Sequence, residues 1–203
     1  MSTLILVRHG ESVWNAENRF TGWVDSPLSD RGREEAKKGG ERLADEGVRV
    51  DHAFTSTLER GIETGQIVLD ALGQGDLPQE QAWELNERFY GFLTGRNKDE
   101  ARQKFGEEQV HIWRRSFATA PPGGESLKDT TDRALPYFRE HIQPLLHSDN
   151  VVLVSAHGNS LRAIVKQLDG LDDDAVTGLE IPTGVPIVYE MRDGEPVAKR
   201  ILE

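Results

Sequence analysis

Two stretches, Leu4-Ile5-Leu6-Val7-Arg8-His9-Gly10-Glu11-Ser12 and Val151-Val152-Leu153-Val154-Ser155-Ala156-His157-Gly158-Asn159-Ser160, share one design. Each is a short uninterrupted apolar run that ends in a His-Gly pair. Such a run reads as a strand buried on both faces, the signature of a parallel sheet covered by helices. In a parallel sheet the carboxyl ends of the strands lie along one edge, where open α/β proteins form their binding crevices. Two histidines delivered to that edge from distant parts of the chain can meet over one substrate. Read separately, each is only a turn histidine.

The rest of the chain extends this pattern outward. Ser29 or Asp30 caps a helix that runs to about Glu46, where Gly47 stops it. Ala53-Phe54-Thr55 reads as a second short strand, and Ser56-Thr57 opens a helix through Arg60 to about Leu72. Gly61 and Gly65 weaken that helix. From Trp83 to Pro122 the periodicity is poor, as expected of helices and loops laid over the sheet. Pro121-Pro122-Gly123-Gly124 is a breaker. Thr130 to His147 reads as helix divided by its two prolines, and a further helix covers Leu161 to Leu168. Pro186 to Met191 and Val197 to Leu202 suit closing strands around a turn at Asp193-Gly194. Strands alternating with helices predict a three-layer α/β/α sandwich with a mainly parallel central sheet, and 203 residues suit a single domain over 1–203.

The formal net charge of −11 argues against a nucleic-acid binder, which needs a basic surface. The basic residues are nevertheless weighted to arginine, 17 of 24, and the planar guanidinium fork grips phosphate and carboxylate. An acidic protein with its arginines concentrated at a few motifs can still bind a small anion. There is no cysteine, hence no disulfide or thiolate nucleophile. No apolar run approaches the roughly 20 residues that span a bilayer, and no basic segment followed by an apolar one opens the chain. A cytoplasmic protein with no membrane partner is expected.

Phosphoryl chemistry suits the two histidines. A neutral imidazole is a good nitrogen nucleophile, and a phosphohistidine is labile enough to pass its group on. Neighbouring cations disfavour the charged imidazole, so Arg8 and Arg60 would keep His9 ready as well as bind phosphate. With His157, they are suited to stabilising charge spread over the transferring oxygens. Neither a His-Glu-x-x-His motif nor an Asp-rich loop is present, so no metal is expected. Glu87, within Asn86-Glu87-Arg88, is a candidate acid/base, its pKa raised by burial beside a dianionic phosphate. From composition alone Glu87, Lys98 and Arg114-Arg115 read equally well as solvated surface.

Leu6 to Ser12 with Trp14-Asn15 resembles the signature of the histidine phosphatase superfamily and, more sharply, of its cofactor-dependent phosphoglycerate mutases. Further segments are similar to that family: Asn18-Arg19-Phe20-Thr21-Gly22-Trp23, Leu85 to Gly91, Leu93-Thr94-Gly95, Asn97-Lys98, Trp113-Arg114-Arg115-Ser116, Glu125 to Thr130, Ala156 to Arg162 and Ile181-Pro182-Thr183-Gly184. The likeness runs from Thr3 to about Met191. It implies a phosphohistidine at His9, Glu87 as proton donor and acceptor, and His157 with Arg8 and Arg60 around the transferring group. It further implies that Asn15, Thr21, Gly22, Arg88, Tyr90, Lys98, Arg114, Arg115, Gly158 and Asn159 hold the substrate's carboxylate and phosphate. The implied reaction interconverts 3-phosphoglycerate and 2-phosphoglycerate in glycolysis and gluconeogenesis, primed by 2,3-bisphosphoglycerate.

The chain departs from longer family members in two places. Only Gly123-Gly124 bridges Pro122 to Glu125, and the chain stops at Glu203 soon after its last strand. Both a monomer and a homo-oligomer are compatible with these departures. Two other readings use the same residues. A phosphatase of the same superfamily would pass the phosphoryl group from His9 to water, and a non-catalytic module would merely bind phosphate.

Overall fold

The computed structural model describes residues 1–203. The chain runs β1 (Ser2–Arg8), α1 (Val13–Ala16), α2 (Asp30–Asp45), β2 (His52–Thr55), α3 (Glu59–Ala71), β3 (Gln79–Gln81), α4 (Lys98–Phe105), α5 (Glu107–Arg115) and α6 (Leu127–Tyr137). It continues through a π turn (Phe138–Ile142) and a 3-10 segment (Gln143–His147) into β4 (Val151–Ala156), α7 (Gly158–Asp169), α8 (Asp173–Gly178), β5 (Ile187–Arg192) and β6 (Glu195–Ile201). The sheet order is β3-β2-β4-β1-β5-β6. The first four strands are parallel, and β5 and β6 add an antiparallel hairpin at one edge. Its turn places Asp193 at φ 51° and Gly194 at φ 80°, the paired positive values that match hairpin twist.

Alternation along the strands divides the core into two layers. Leu4, Leu6, Val152 and Val154 face one way, against Leu161, Ile164 and Val165 of α7 and Phe138 and Ile142. Ile5, Val7 and Leu153 face the other, against Leu43 of α2 and Val68 and Leu69 of α3. The central strands are therefore apolar throughout because both faces are covered. A satellite cluster of Phe20, Leu93, Ala101 and Val110 seats α4 and α5 over the carboxyl edge of the sheet.

Local chemistry sets the boundaries. Ser29 Oγ accepts the Gly32 N–H and caps α2, and Gly170, at φ 62°, ends α7. Pro136 and Pro144 divide the long helical stretch, the first relieved by the π turn that follows it. The helix expected to open at Ser56-Thr57 begins instead at Glu59, since Ser56 Oγ takes the Leu58 N–H and turns the chain into α3. Strand β3 and helix α8 lie outside the elements expected from sequence.

Gly61 and Gly65 do not loosen α3. A Cβ on Gly61 would lie 2.8 Å from Ser56 Oγ, and one on Gly65 would lie 2.0 Å from Gln79 Oε1. Their missing side chains let α3 press against the carboxyl ends of β2 and β4.

Candidate active site

Adjacent parallel pairing of β1 with β4 carries Arg8 level with Ala156, and the His9 N–H donates to Ala156 O at 2.9 Å. His9 and His157 therefore leave the sheet side by side. Their rings lie 5.0 Å apart, and both are buried. Gly10 turns the chain away from His9 where there is no room for a side chain, since a Cβ there would sit 2.0 Å from Gly32 O.

His9 Nδ1 lies 2.6 Å from Gly10 O. A carbonyl only accepts, so Nδ1 carries the hydrogen and Nε2 keeps its lone pair. Burial first, then the charges of Arg60 and Arg8, push His9 well below the usual histidine range. The resting ring is thus neutral, with burial the larger influence beside the cations expected from sequence.

Both arginines are anchored through backbone carbonyls. Arg8 Nη1 donates to Ile181 O at 2.8 Å; Arg60 Nη1 and Nη2 donate to Val24 O and Gly22 O at 2.9 and 2.6 Å. The Nε of each is buried with no partner in the protein, as is Thr21 Oγ1. These donors are fixed in place and still able to take an anion's oxygens.

Glu87 is buried, its Oε1 accepting the Arg88 N–H at 2.7 Å and Asn159 Nδ2 at 2.8 Å. Burial pushes this carboxyl up, but those two donors and the charges of Arg60 and Arg8 outweigh it, leaving it below the ordinary value. The rise expected from sequence depends on a bound phosphate dianion; without one the carboxyl lies below its ordinary value. The protein's own donors and cations favour the ionised form of Glu87, and an added anion would join burial in pushing the other way.

Two adjoining cavities open onto these groups. The inner one, about 60 Å³, is lined by Arg8, His9, Asn15, Arg19, Thr21, Gly22, Arg60 and Glu87, with Tyr90 and Lys98 at its border. The outer one, about 180 Å³, brings in Arg114, Arg115, Gly158, Asn159, Arg162 and Glu180. Together they gather seven cations (Arg8, Arg19, Arg60, Lys98, Arg114, Arg115, Arg162) against two carboxylates, Glu87 and Glu180. No group of three histidine, aspartate or glutamate side chains is arranged to hold a metal ion.

Of the residues expected at the site, His157 and Arg88 line neither cavity; His157 is fully buried beside His9, and Arg88 lies further back. Arg88 is buried behind Tyr90, with its guanidinium carbon 4.9 Å from the ring centroid, and Nη2 donates to Arg114 O at 3.2 Å. It props Tyr90 and α5 from behind. Sequence reasoning missed Arg162, which donates to Asn159 Oδ1 at 3.2 Å and Leu179 O at 2.7 Å. Its place in the His157-to-Arg162 run, one turn beyond Gly158, was the available signal. It also missed Arg133, whose guanidinium donates to the carbonyls of Glu84, Asn86 and Glu87 and so holds the loop that carries the acid/base candidate.

A buried neutral histidine and a carboxylate within a crowd of fixed cations define a phosphoryl-transfer site, and the chain belongs to the histidine phosphatase superfamily, branch 1, which it matches over residues 4–203. Within it, the chain is 50% identical to the 2,3-bisphosphoglycerate-dependent phosphoglycerate mutase of Staphylococcus carnosus, over 95% of this chain and 96% of that one. It is 52% identical to the phosphoglycerate mutase of Schizosaccharomyces pombe, over 98% and 95% of the two chains. Among solved structures, Bacillus stearothermophilus YhfR superposes with a TM-score of 0.83 at 32% identity, covering 97% of this chain and 94% of that one.

Proposed function

We infer that the protein is a 2,3-bisphosphoglycerate-dependent phosphoglycerate mutase, interconverting 3-phosphoglycerate and 2-phosphoglycerate through a phosphohistidine at His9. The observation that carries this reading is the pairing of a free His9 Nε2 with an outer cavity rich in cations. A phosphatase needs to hold only the phosphate, whereas a mutase must also hold the remaining carboxylate and phosphate while the two hydroxyls exchange. Lys98, Arg114, Arg115 and Arg162 suit that second task.

In the forward step a substrate hydroxyl attacks the phosphorus of phosphorylated His9. The new P–O bond forms as the P–N bond breaks, the hydroxyl proton passes to the Glu87 carboxylate, and His9 leaves as neutral imidazole with Nδ1–H still on Gly10 O. Arg8, Arg60 and His157 stabilise the charge on the transferring oxygens. The same step in reverse at the other hydroxyl, with Glu87 returning the proton, restores the phosphohistidine. The unpartnered Arg8 Nε, Arg60 Nε and Thr21 Oγ1, with the outer cations, fit a bisphosphorylated ligand. 2,3-Bisphosphoglycerate supplies the phosphoryl group that primes His9. Its setting is glycolysis and gluconeogenesis in the cytoplasm, and no helix is long and apolar enough to cross a membrane.

The test couples 2-phosphoglycerate formation from 3-phosphoglycerate to enolase, with the mutase step first run in chelator, with and without a trace of 2,3-bisphosphoglycerate. Turnover that survives chelation and rises with the bisphosphate supports the mutase. Release of inorganic phosphate with no 2-phosphoglycerate refutes it in favour of the phosphatase reading. Loss of all turnover in His9→Ala separates an enzyme from a binding module.

A further inference from the structure

His157 has two ring nitrogens, and only one can be the donor to the transferring phosphoryl group. Nε2 lies 2.7 Å from Ser56 Oγ, where both residues are fully buried. The same oxygen accepts the Leu58 N–H at 3.1 Å, which uses one of its lone pairs. Nδ1 is buried with no partner in the protein. Two arrangements are possible for a neutral ring. If Nε2 carried the hydrogen and donated to Ser56, the serine hydrogen would need another acceptor, and Ser56 Oγ has no neighbour to take it. Nδ1 would then present a bare lone pair, repelling phosphoryl oxygens. If Ser56 donates to a bare Nε2, every hydrogen is placed and Nδ1–H becomes a free donor beside His9.

We propose that Ser56 is a positioning residue for phosphoryl transfer, fixing His157 in the Nδ1–H tautomer so that this N–H donates to the phosphoryl group at His9. The surrounding chain is built to hold the contact. A Cβ on Gly61 would lie 2.8 Å from Ser56 Oγ and 3.4 Å from His157 Nε2, so glycine lets α3 press the serine against the ring. Ser155 Oγ donates to Gly61 O at 2.7 Å and ties that turn of α3 to β4, the strand that carries His157. Burial first, then the charges of Arg60, His9 and Arg8, push His157 well below the usual histidine range, so tautomer rather than charge decides what the ring offers. Ser56 does not touch substrate in this arrangement; it acts only through His157.

This rests on the phosphohistidine reading at His9, and the two fail separately. The decisive readout is the ¹⁵N spectrum of histidine-labelled resting protein near neutral pH, where protonated and bare ring nitrogens resonate in distinct ranges. The measurement does not depend on whether water or a hydroxyl finally takes the phosphoryl group. A bare Nε2 and protonated Nδ1 at His157 are expected, and in Ser56→Ala a mixture of tautomers. In the same variant kcat should fall by about tenfold to a hundredfold with KM unchanged within about twofold, the pattern of a donor lost from the transition state alone. A protonated Nε2 in the parent protein overturns the proposal without any variant. Retention of full kcat in folded Ser56→Ala overturns it as well.

Discussion

Arg133 offers the sharpest test of how the acid/base loop is held. From α6 its guanidinium makes a two-pronged pair with Glu125, Nε to Oε1 at 2.8 Å and Nη2 to Oε2 at 2.9 Å. It also donates to Glu84 O at 2.7 Å, Asn86 O at 3.0 Å and Glu87 O at 2.9 Å. The pair is largely withdrawn from water, with side-chain exposures of 9% and 20%, so the small value of a surface ion pair does not apply. Arg133→Met keeps much of the stem and removes every donor. Each bond to a charged group contributes about 1.5–3 kcal/mol, but they are not additive, and breaking a buried pair from one side costs about 3–5 kcal/mol in all. For a chain of this size that lowers Tm by roughly 6–20 °C. The fluorescence of Trp23 and Trp83, whose rings lie 5.5 and 6.0 Å from the guanidinium, reports the change directly. Well below the new midpoint, kcat should fall by about tenfold or more, since displacement of Glu87 of order 1 Å is enough to disturb proton transfer. KM should hardly move, because the outer-cavity cations stand on other elements. A loss under about 1 kcal/mol with full kcat would refute the claim that Arg133 holds this loop.

Three further outcomes follow from the site. Glu87→Gln keeps the shape of the side chain and removes its proton transfer, so kcat should fall by about 10²–10⁴ with the Tm little changed; parent-like turnover would assign the acid/base role elsewhere. His9 and His157 are both pushed well below 6.5 by burial and then by Arg60, so below that pH the unfolded chain binds protons the folded one refuses. Stability is therefore present above about pH 6.5 and lost as pH falls, by up to about 1.4 kcal/mol per pH unit for each histidine, and a urea midpoint that stays flat between about pH 7.5 and 5 would contradict this. Gly61→Ala gains about 1 kcal/mol of helix propensity but forces a Cβ against Ser56, costing about 1–3 kcal/mol; kcat should drop more than stability does, and a rise in Tm with full activity would disprove the close packing.

What could be read from the chain was whatever repeats a local pattern. The apolar runs of β1 and β4 announce themselves because both faces of those strands are buried, and their His-Gly ends carry His9 and His157 to the same edge. Strand β3 is Gln79-Glu80-Gln81 at the sheet's margin; it pairs through backbone alone and leaves no apolar trace. Gly61 looks like a weak point in a helix until the neighbour it makes room for is known. Arg88 shares a motif with Glu87 and Tyr90, yet turns behind the ring rather than into the cavity. Arg133 is out of reach of pattern reading, because the carbonyls it gathers lie 46 to 50 residues away in sequence.

The direction of the Glu87 shift in the protein without ligand bears on how the site works. A permanently raised pKa would keep the carboxyl protonated and unable to accept the hydroxyl proton of the first step. Instead, Arg88 N–H, Asn159, Arg60 and Arg8 hold it as a carboxylate, while His9 is held neutral by burial and the same arginines. Glu87 as carboxylate and His9 as neutral imidazole thus both rest without the proton that would charge or neutralise them, within a cluster of cations. An arriving anion engages Arg60 and Arg8 and adds negative charge beside Glu87, which weakens two of the four influences that depress it and raises its affinity for a proton. The carboxylate then becomes a better base only while a phosphorylated ligand is present. That coupling follows from the arginines being shared between His9, Glu87 and the phosphoryl group, and it explains why an acidic protein gathers seven of its cations around two small cavities.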